Sequence, residues 1–130
     1  MRNWLSSELK AHPKLVLMGD FNIAPEDQDV HDPKAWEGQN LVSPQEREQF
    51  QKLLKLGLYD SFRLFEQAPK TYSWWDYRMM AFRRNAGVRI DHVFLSTELK
   101  ERCIASTIDK TPRGWEQPSD HAPVIAQILL

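Results

Sequence analysis

Leu15-Val16-Leu17-Met18-Gly19-Asp20-Phe21-Asn22 is the stretch on which the reading of this chain turns. Four consecutive apolar residues between the breaker Pro13 and a glycine are too few for a helix and do not alternate, so they predict a strand buried on both faces. Gly19-Asp20-Phe21-Asn22 sits at its C-terminal end, where a rigid element can present polar groups. Upstream, Leu5 and Leu9 stand four apart with Trp4 and Glu8 beside them, which predicts a short amphipathic helix over residues 2–11, ended by Pro13. A doubly buried strand so near the start needs neighbouring strands to cover it, and few remain to do so.

Residues 23–42 show no sustained periodicity and many Asp, Pro and Gly residues, the pattern of a long loop. Ser43-Pro44-Gln45-Glu46 supplies an N-cap serine, a first-turn proline and a glutamate three residues after the cap, so a helix is expected to about Lys55, stopping at Gly57. Leu58 to Phe62 reads as a short extended segment, Thr71-Tyr72-Ser73-Trp74-Trp75 as a strand, and residues 78–86 as a basic loop closed by Gly87. Residues 88–96 read as a central strand, 102–109 as another and 122–130 as the last. Mostly strands with a few helices means a mixed α/β fold.

The 130 residues suffice for one compact domain and not for two, and 42% apolar with 27% charged residues is the composition of a globular protein. No apolar run approaches the roughly 20 residues of a membrane span, and the opening residues lack a secretory signal, so no membrane partner and a cytoplasmic location are expected. The single cysteine, Cys103, excludes an internal disulfide, has no neighbours at zinc-ligand spacing and is expected to be a small buried residue. A net charge of −1 gives no global sign of a polyanionic partner. Locally, Lys70, Arg78, Arg83, Arg84 and Arg89 face a single acid, Asp76, whereas Glu26, Asp27, Asp29, Asp32 and Glu37 make the preceding loop acidic.

Three polar clusters end apolar strands: Gly19-Asp20-Phe21-Asn22, Arg89-Ile90-Asp91-His92 and Pro118-Ser119-Asp120-His121-Ala122-Pro123. Each alone has an ordinary reading, as a turn, an ion pair or a surface histidine. Together they supply three carboxylates, an amide and an imidazole, the inventory for hydrolysing a phosphodiester with a divalent metal. Carboxylate oxygens suit Mg2+, and a carboxylate can take a proton from water. An imidazole held by a second carboxylate, the pairing open to His121 and Asp91, becomes more basic. An asparagine adds a donor where negative charge builds.

With Leu58-Tyr59-Asp60-Ser61-Phe62-Arg63, Tyr72-Ser73-Trp74-Trp75-Asp76-Tyr77-Arg78 and Gly87-Val88-Arg89-Ile90-Asp91-His92 added, the chain resembles the exonuclease III family of DNA-repair nucleases, within the endonuclease/exonuclease/phosphatase superfamily. The Gly-Asp-Phe-Asn and Ser-Asp-His motifs belong to the superfamily at large; the Trp-Trp-Asp-Tyr-Arg and Gly-Val-Arg-Ile-Asp pair narrows the resemblance to the repair branch. It implies a DNase I-like, four-layered α/β sandwich of which this chain is the C-terminal half, with a mostly antiparallel sheet flanked by helices. It implies that Asp20 activates water, Asn22 holds it or the phosphate, Asp91 orients His121, and His121 contacts the scissile phosphate. Asp120 would lie at the metal, with Asp20, Asn22 and His121 nearby, and the ion would be Mg2+ or, in its place, Mn2+. Trp74, Val88 and Ile90 would line a pocket for a flipped-out abasic sugar, and Arg78 would bind DNA. The partner would be duplex DNA with abasic sites or 3′ ends.

The resemblance covers only the second of the family's two related halves, so an Asn, a Tyr and the Glu that is the principal metal ligand are not matched. The expectation is an incomplete enzyme, from a truncated gene, a fragment or an internal start. It should show little activity alone and an open apolar face that favours a complementary N-terminal half or self-association. Two other readings carry distinct expectations: a superfamily phosphodiesterase or phosphatase on lipid or inositol phosphates, which has no use for the 74–89 segment, and a non-catalytic remnant or module that binds DNA or a partner.

Overall fold

The computed structural model describes residues 2–36, 42–68, 70–76, 81, 85–111 and 119–129. Helix α1 (Arg2–Ala11) leads into strand β1 (Val16–Asp20). The loop after it contains a 3-10 turn, Asp27–Asp29, and a short helix α2 (Pro33–Trp36) before α3 (Pro44–Lys55). Strand β2 (Leu58–Asp60) passes into a 3-10 turn, Ser61–Leu64, and β3 (Asp91–Ser96), α4 (Thr97–Lys100), β4 (Cys103–Ile108) and β5 (Val124–Ile128) complete the order. The α3 start is as read: the Ser43 hydroxyl accepts the Glu46 N–H at 3.2 Å, with Pro44 in the first turn.

Two antiparallel sheets result. One has the order β1-β3-β2, with Val16 opposite Leu95, Asp20 opposite Asp91 and Asp60 opposite Phe94; the other pairs β4 with β5. β3 is central, as its sequence suggests, because both its faces are covered. On one side Phe94 joins Leu5, Ile23, Phe50, Leu53 and Leu58 beneath α1 and α3; on the other Val93 and Leu95 meet Leu99, Val124, Ala126 and Ile128.

Three expectations need correction. β1 is not buried on both faces: Leu17 packs toward the helices, but Met18 is 69% and Val16 42% exposed. β1 is an edge strand whose second face no described residue covers, in line with the shortage of neighbouring strands that the sequence implied. The 71–75 segment is not a regular strand. It makes single bridges, Trp74 to Val88 and Trp74 to His121, and no continuous ladder. Cys103 is half-buried, packing at the edge of the β3 to β5 cluster.

Behind β3 lies a buried polar network that the sequence did not announce. Arg89, 1% exposed, donates through Nε to Asp29 at 2.7 Å and through Nη2 to Asp60 at 2.7 Å. Its Nη1 also faces Nδ1 of His92 at 3.2 Å, while His92 Nε2 lies 2.7 Å from the Ile23 carbonyl. Since a guanidinium can only donate, His92 Nδ1 must accept, and Nε2–H donates to Ile23.

That arrangement has no room for a second proton. Burial first, and then the Arg89 charge, push the His92 pKa down from 6.5 to about 4. The unfolded chain therefore takes up a proton that the folded one refuses, so this contribution to stability is full above pH 6.5 and is lost as pH falls toward 4. Roughly 3 kcal/mol is at stake, at 1.36 kcal/mol per pKa unit. An NMR titration should find the His92 ring neutral until about pH 4. A midpoint near the ordinary histidine value would contradict the tautomer assigned here.

Candidate active site

The end of β1 turns sharply. Gly19 adopts φ of +148°, a conformation side-chain-bearing residues avoid, and Asn22 takes φ of +53°, which Asn tolerates better than most. The Asp20 carboxylate accepts the Asn22 N–H at 2.9 Å, and the Phe21 N–H donates to the Ile90 carbonyl at 3.1 Å. The turn leaves Asp20 on the rim, opposite Asp91 in the β1–β3 register.

Asp120 and His121 arrive on a loop that is sewn to the 73–75 segment. Trp75 N–H donates to the Asp120 carbonyl at 3.1 Å and Ala122 N–H to the Ser73 carbonyl at 2.7 Å. The Trp74 indole N–H donates to the Asp120 carboxylate at 3.0 Å. Gly87 permits this crossing: a Cβ there would stand 2.6 Å from the Trp75 ring and 2.7 Å from the Trp74 carbonyl.

These elements bring together four of the expected residues. His121 Nδ1 lies 2.8 Å from Asp91 Oδ2, while Nε2 stands 3.6 Å from both Asp20 and Asp120. Burial, the largest influence on His121, disfavours its charge; the Asp91 hydrogen bond and the charges of Asp91, Asp20 and Asp120 outweigh it and hold the imidazole above its ordinary pKa. Asp91 is itself raised, chiefly by burial and against the pull of His121 and Ser73. With Nδ1 committed to Asp91, Nε2 is the atom presented to whatever enters between Asp20 and Asp120.

The donor set fits a hard divalent cation. Asp20, Asp91 and His121 each offer a ligand atom within 4.8 Å of the others, and Asp20 and Asp120 keep oxygens not used by Asn22 or Trp74. Mg2+ characteristically takes one or two carboxylates and fills its remaining positions with water and phosphate oxygens.

The other expected residues lie around this group, some of them buried. Asn22 is exposed beside Asp20. Trp74, Val88 and Ile90 do form one cluster, but Val88 and Ile90 are its interior, 1% and 3% exposed, and of the three Trp74 offers the surface. They support the ring from behind, a position that alternation along an irregular segment could not reveal. Arg89, in the basic stretch, is spent internally on Asp29 and Asp60. Arg78, Arg83, Arg84, Tyr77 and Pro118 lie outside the described residues.

Residues 1–121 match the model of the Endonuclease/Exonuclease/phosphatase family, and the chain belongs to that family. Its fold is that of DNase I-like α/β nucleases. Among curated proteins it is similar to exodeoxyribonuclease III of Haemophilus influenzae, 40% identical over 134 residues that take in 98% of this chain and 50% of that protein. Among solved structures it is similar to a Neisseria 3′ phosphatase bound to a product DNA hairpin, with a TM-score of 0.96 and 42% identity over 99% of this chain and 50% of that one. An AP endonuclease from Archaeoglobus fulgidus gives a TM-score of 0.87 at 32% identity, covering 99% of this chain and 52% of that one. The chain thus spans about half the length of the relatives it matches, and these likenesses agree with the exonuclease III resemblance carried by its motifs. No helix among the described residues is long and apolar enough to cross a membrane.

The His121–Asp91 pair makes a direct prediction. A raised histidine pKa contributes stability that is full below the ordinary value of 6.5 and is lost as pH rises through the folded value. Asp91→Asn keeps an acceptor for Nδ1 but removes the charge, so an NMR titration should find His121 protonating at lower pH in the variant. An unchanged midpoint would place the cause elsewhere.

Proposed function

We propose that this chain carries the hydrolytic centre of a Mg2+-dependent nuclease that cleaves duplex DNA at abasic sites and from 3′ ends, in base excision repair. The observation that carries the reading is the Asp20–His121–Asp91 constellation with Asp120 beside it. Asp20, on the rim, takes a proton from the attacking water, and the exposed Asn22 amide holds that water or a phosphate oxygen. Water oxygen bonds to phosphorus as the bond to the 3′ oxygen breaks, and the departing 3′ oxygen takes up a proton from solvent water to leave a 3′-hydroxyl. Protonated His121, steadied by Asp91 at Nδ1–H, presents Nε2–H to a phosphate oxygen as charge accumulates there. A bound Mg2+, held by Asp120 and Asp20, would supply electrostatic stabilisation of the same oxygens.

Trp74 is proposed as the surface against which a flipped-out sugar rests, an apolar wall of the kind an extruded nucleotide requires. The names of the relatives support DNA as the substrate: an exodeoxyribonuclease, an AP endonuclease and a 3′ phosphatase solved with a product DNA hairpin. The same names leave lipid or inositol phosphates without support. The exposed side chains Met18 and Val16 on β1 favour a second body against this face, either a complementary N-terminal half or another copy of the chain.

The test is incubation with a duplex containing one abasic site, and with a 3′-recessed duplex, in Mg2+ with an EDTA control. Expected is EDTA-sensitive cleavage that is weak for the dilute chain, rises with its concentration or on adding a relative's N-terminal half, and disappears in Asp20→Asn. Absence of cleavage in every arm removes the nuclease reading. In the active assembly, Asp20→Ala and His121→Ala should each slow cleavage on the order of 10²-fold or more, as loss of an acid–base or oxyanion group does. Near-normal rates in both would sink the site assignment. Trp74→Ala should weaken abasic-site cleavage more than it lowers thermal stability; equal losses would make Trp74 a core residue.

A further inference from the structure

Ser73 is fully buried, at 0% exposure, within a run of aromatic side chains, where a serine contributes little packing. All its polar atoms are engaged. Its hydroxyl oxygen accepts N–H groups from Ile90 at 3.0 Å and Asp91 at 3.2 Å. Its own N–H donates to the Val88 carbonyl at 3.0 Å, and its carbonyl accepts from Ala122 at 2.7 Å. Asp91 carries one partner of the acid–imidazole pair, and Ala122 directly follows the other.

We propose that Ser73 is a positioning residue for the catalytic pair, fixing the backbone on both sides of the Asp91–His121 hydrogen bond. The neighbouring contacts act in the same sense: Trp75 N–H holds the Asp120 carbonyl and the Trp74 indole holds the Asp120 carboxylate. With both oxygen lone pairs taken by backbone donors, the Ser73 hydroxyl proton is left for an acceptor other than those two groups. The Asp91 carboxylate, whose own backbone N–H already reaches the Ser73 oxygen, is the acceptor we assign to that proton, a donor that would favour its charged form. Without the hydroxyl, two buried N–H groups lose their acceptor and Asp91 loses both a backbone anchor and a donor.

The proposal rests on the reading of Asp91 and His121 as a catalytic pair for its meaning, but its test uses neither DNA nor metal, so either can fail while the other stands. In the ¹⁵N-labelled chain, neutral His121 should carry its proton on Nδ1, facing Asp91. Ser73→Ala should lose that single tautomer in favour of a mixture, and exchange of the Ile90 and Asp91 amides should accelerate on the order of 10-fold or more, while Ser73→Thr, which restores the hydroxyl, keeps both signatures. A folded Ser73→Ala chain with the His121 tautomer unchanged would overturn the proposal. Should Ser73→Ala not fold, the unmodified chain decides through the same two amides. Slow exchange, together with a retained tautomer in Ser73→Thr, supports the assignment; fast exchange at both overturns it.

Discussion

A guanidinium buried between two carboxylates is the constraint on which this structure depends. Arg89 binds Asp29 from the long loop and Asp60 from the end of β2, and its backbone N–H donates to the Asp29 carbonyl at 2.8 Å, so segments far apart in sequence are tied at one point. The Phe62 ring lies 4.9 Å below the guanidinium carbon. Burial disfavours the Arg89 charge, but Asp60 and Asp29 more than compensate and hold its pKa above the ordinary arginine value. Removing one member of such a set costs about 3–5 kcal/mol because it strands a buried charge. Arg63 adds a second cation to Asp29, while its buried Nε has no hydrogen-bond partner among the described residues.

The network matters to the chemistry through the residues on either side of Arg89. Val88 bridges Val30 on one side and Trp74 on the other, and Trp74 in turn bridges His121. Ile90 accepts from Phe21 in the turn that presents Asp20. A short peptide, Val88 to Asp91, therefore touches every segment of the candidate site, with its arginine locked in the core and its aspartate half-buried beside His121. Arg89 thus anchors, through its chain neighbours, both the Asp20 turn and the His121 loop, although it contacts neither side chain.

Much of the fold was legible because its signals were local. The α3 cap and the apolar character of β3 are properties of a few adjacent residues; α3 starts where its cap stands, while β3 begins at Asp91, three residues later than its apolar run suggests, because Val88 makes only isolated bridges. β1 was misread because apolar composition reports what a strand is suited to bury and not what is there to cover it. The 71–75 segment was misread because Trp74 pairs one residue at a time with Val88 and His121, which intrinsic β propensity does not encode. Within the site, Asp20, Asp91, Asp120 and His121 were legible as polar groups closing apolar runs. Asp29 and Arg89 carried no such mark, since a buried ion pair and a solvated one look alike in sequence. Ser73 was detectable only as a small hydroxyl among aromatics, a signal that gains meaning once its burial is known.

The site lies on the boundary between the covered and open faces of the sheet, and this sets how strongly its charges act. Asp20 and Asp120 have side chains 39% and 37% exposed and His121 31%, whereas Asp91, behind them, is 17% exposed. Water screens the outer contacts, so the separations of 3.6 Å from Nε2 to Asp20 and Asp120 contribute less than the 2.8 Å contact with Asp91. A second body laid over Met18 and Val16 would exclude that water without moving an atom of this chain. Each interaction with developing negative charge would then strengthen through the lower effective dielectric, which is how closure raises the worth of groups already in place. The acid–imidazole pair is thus an internal property of this chain, set by its buried network.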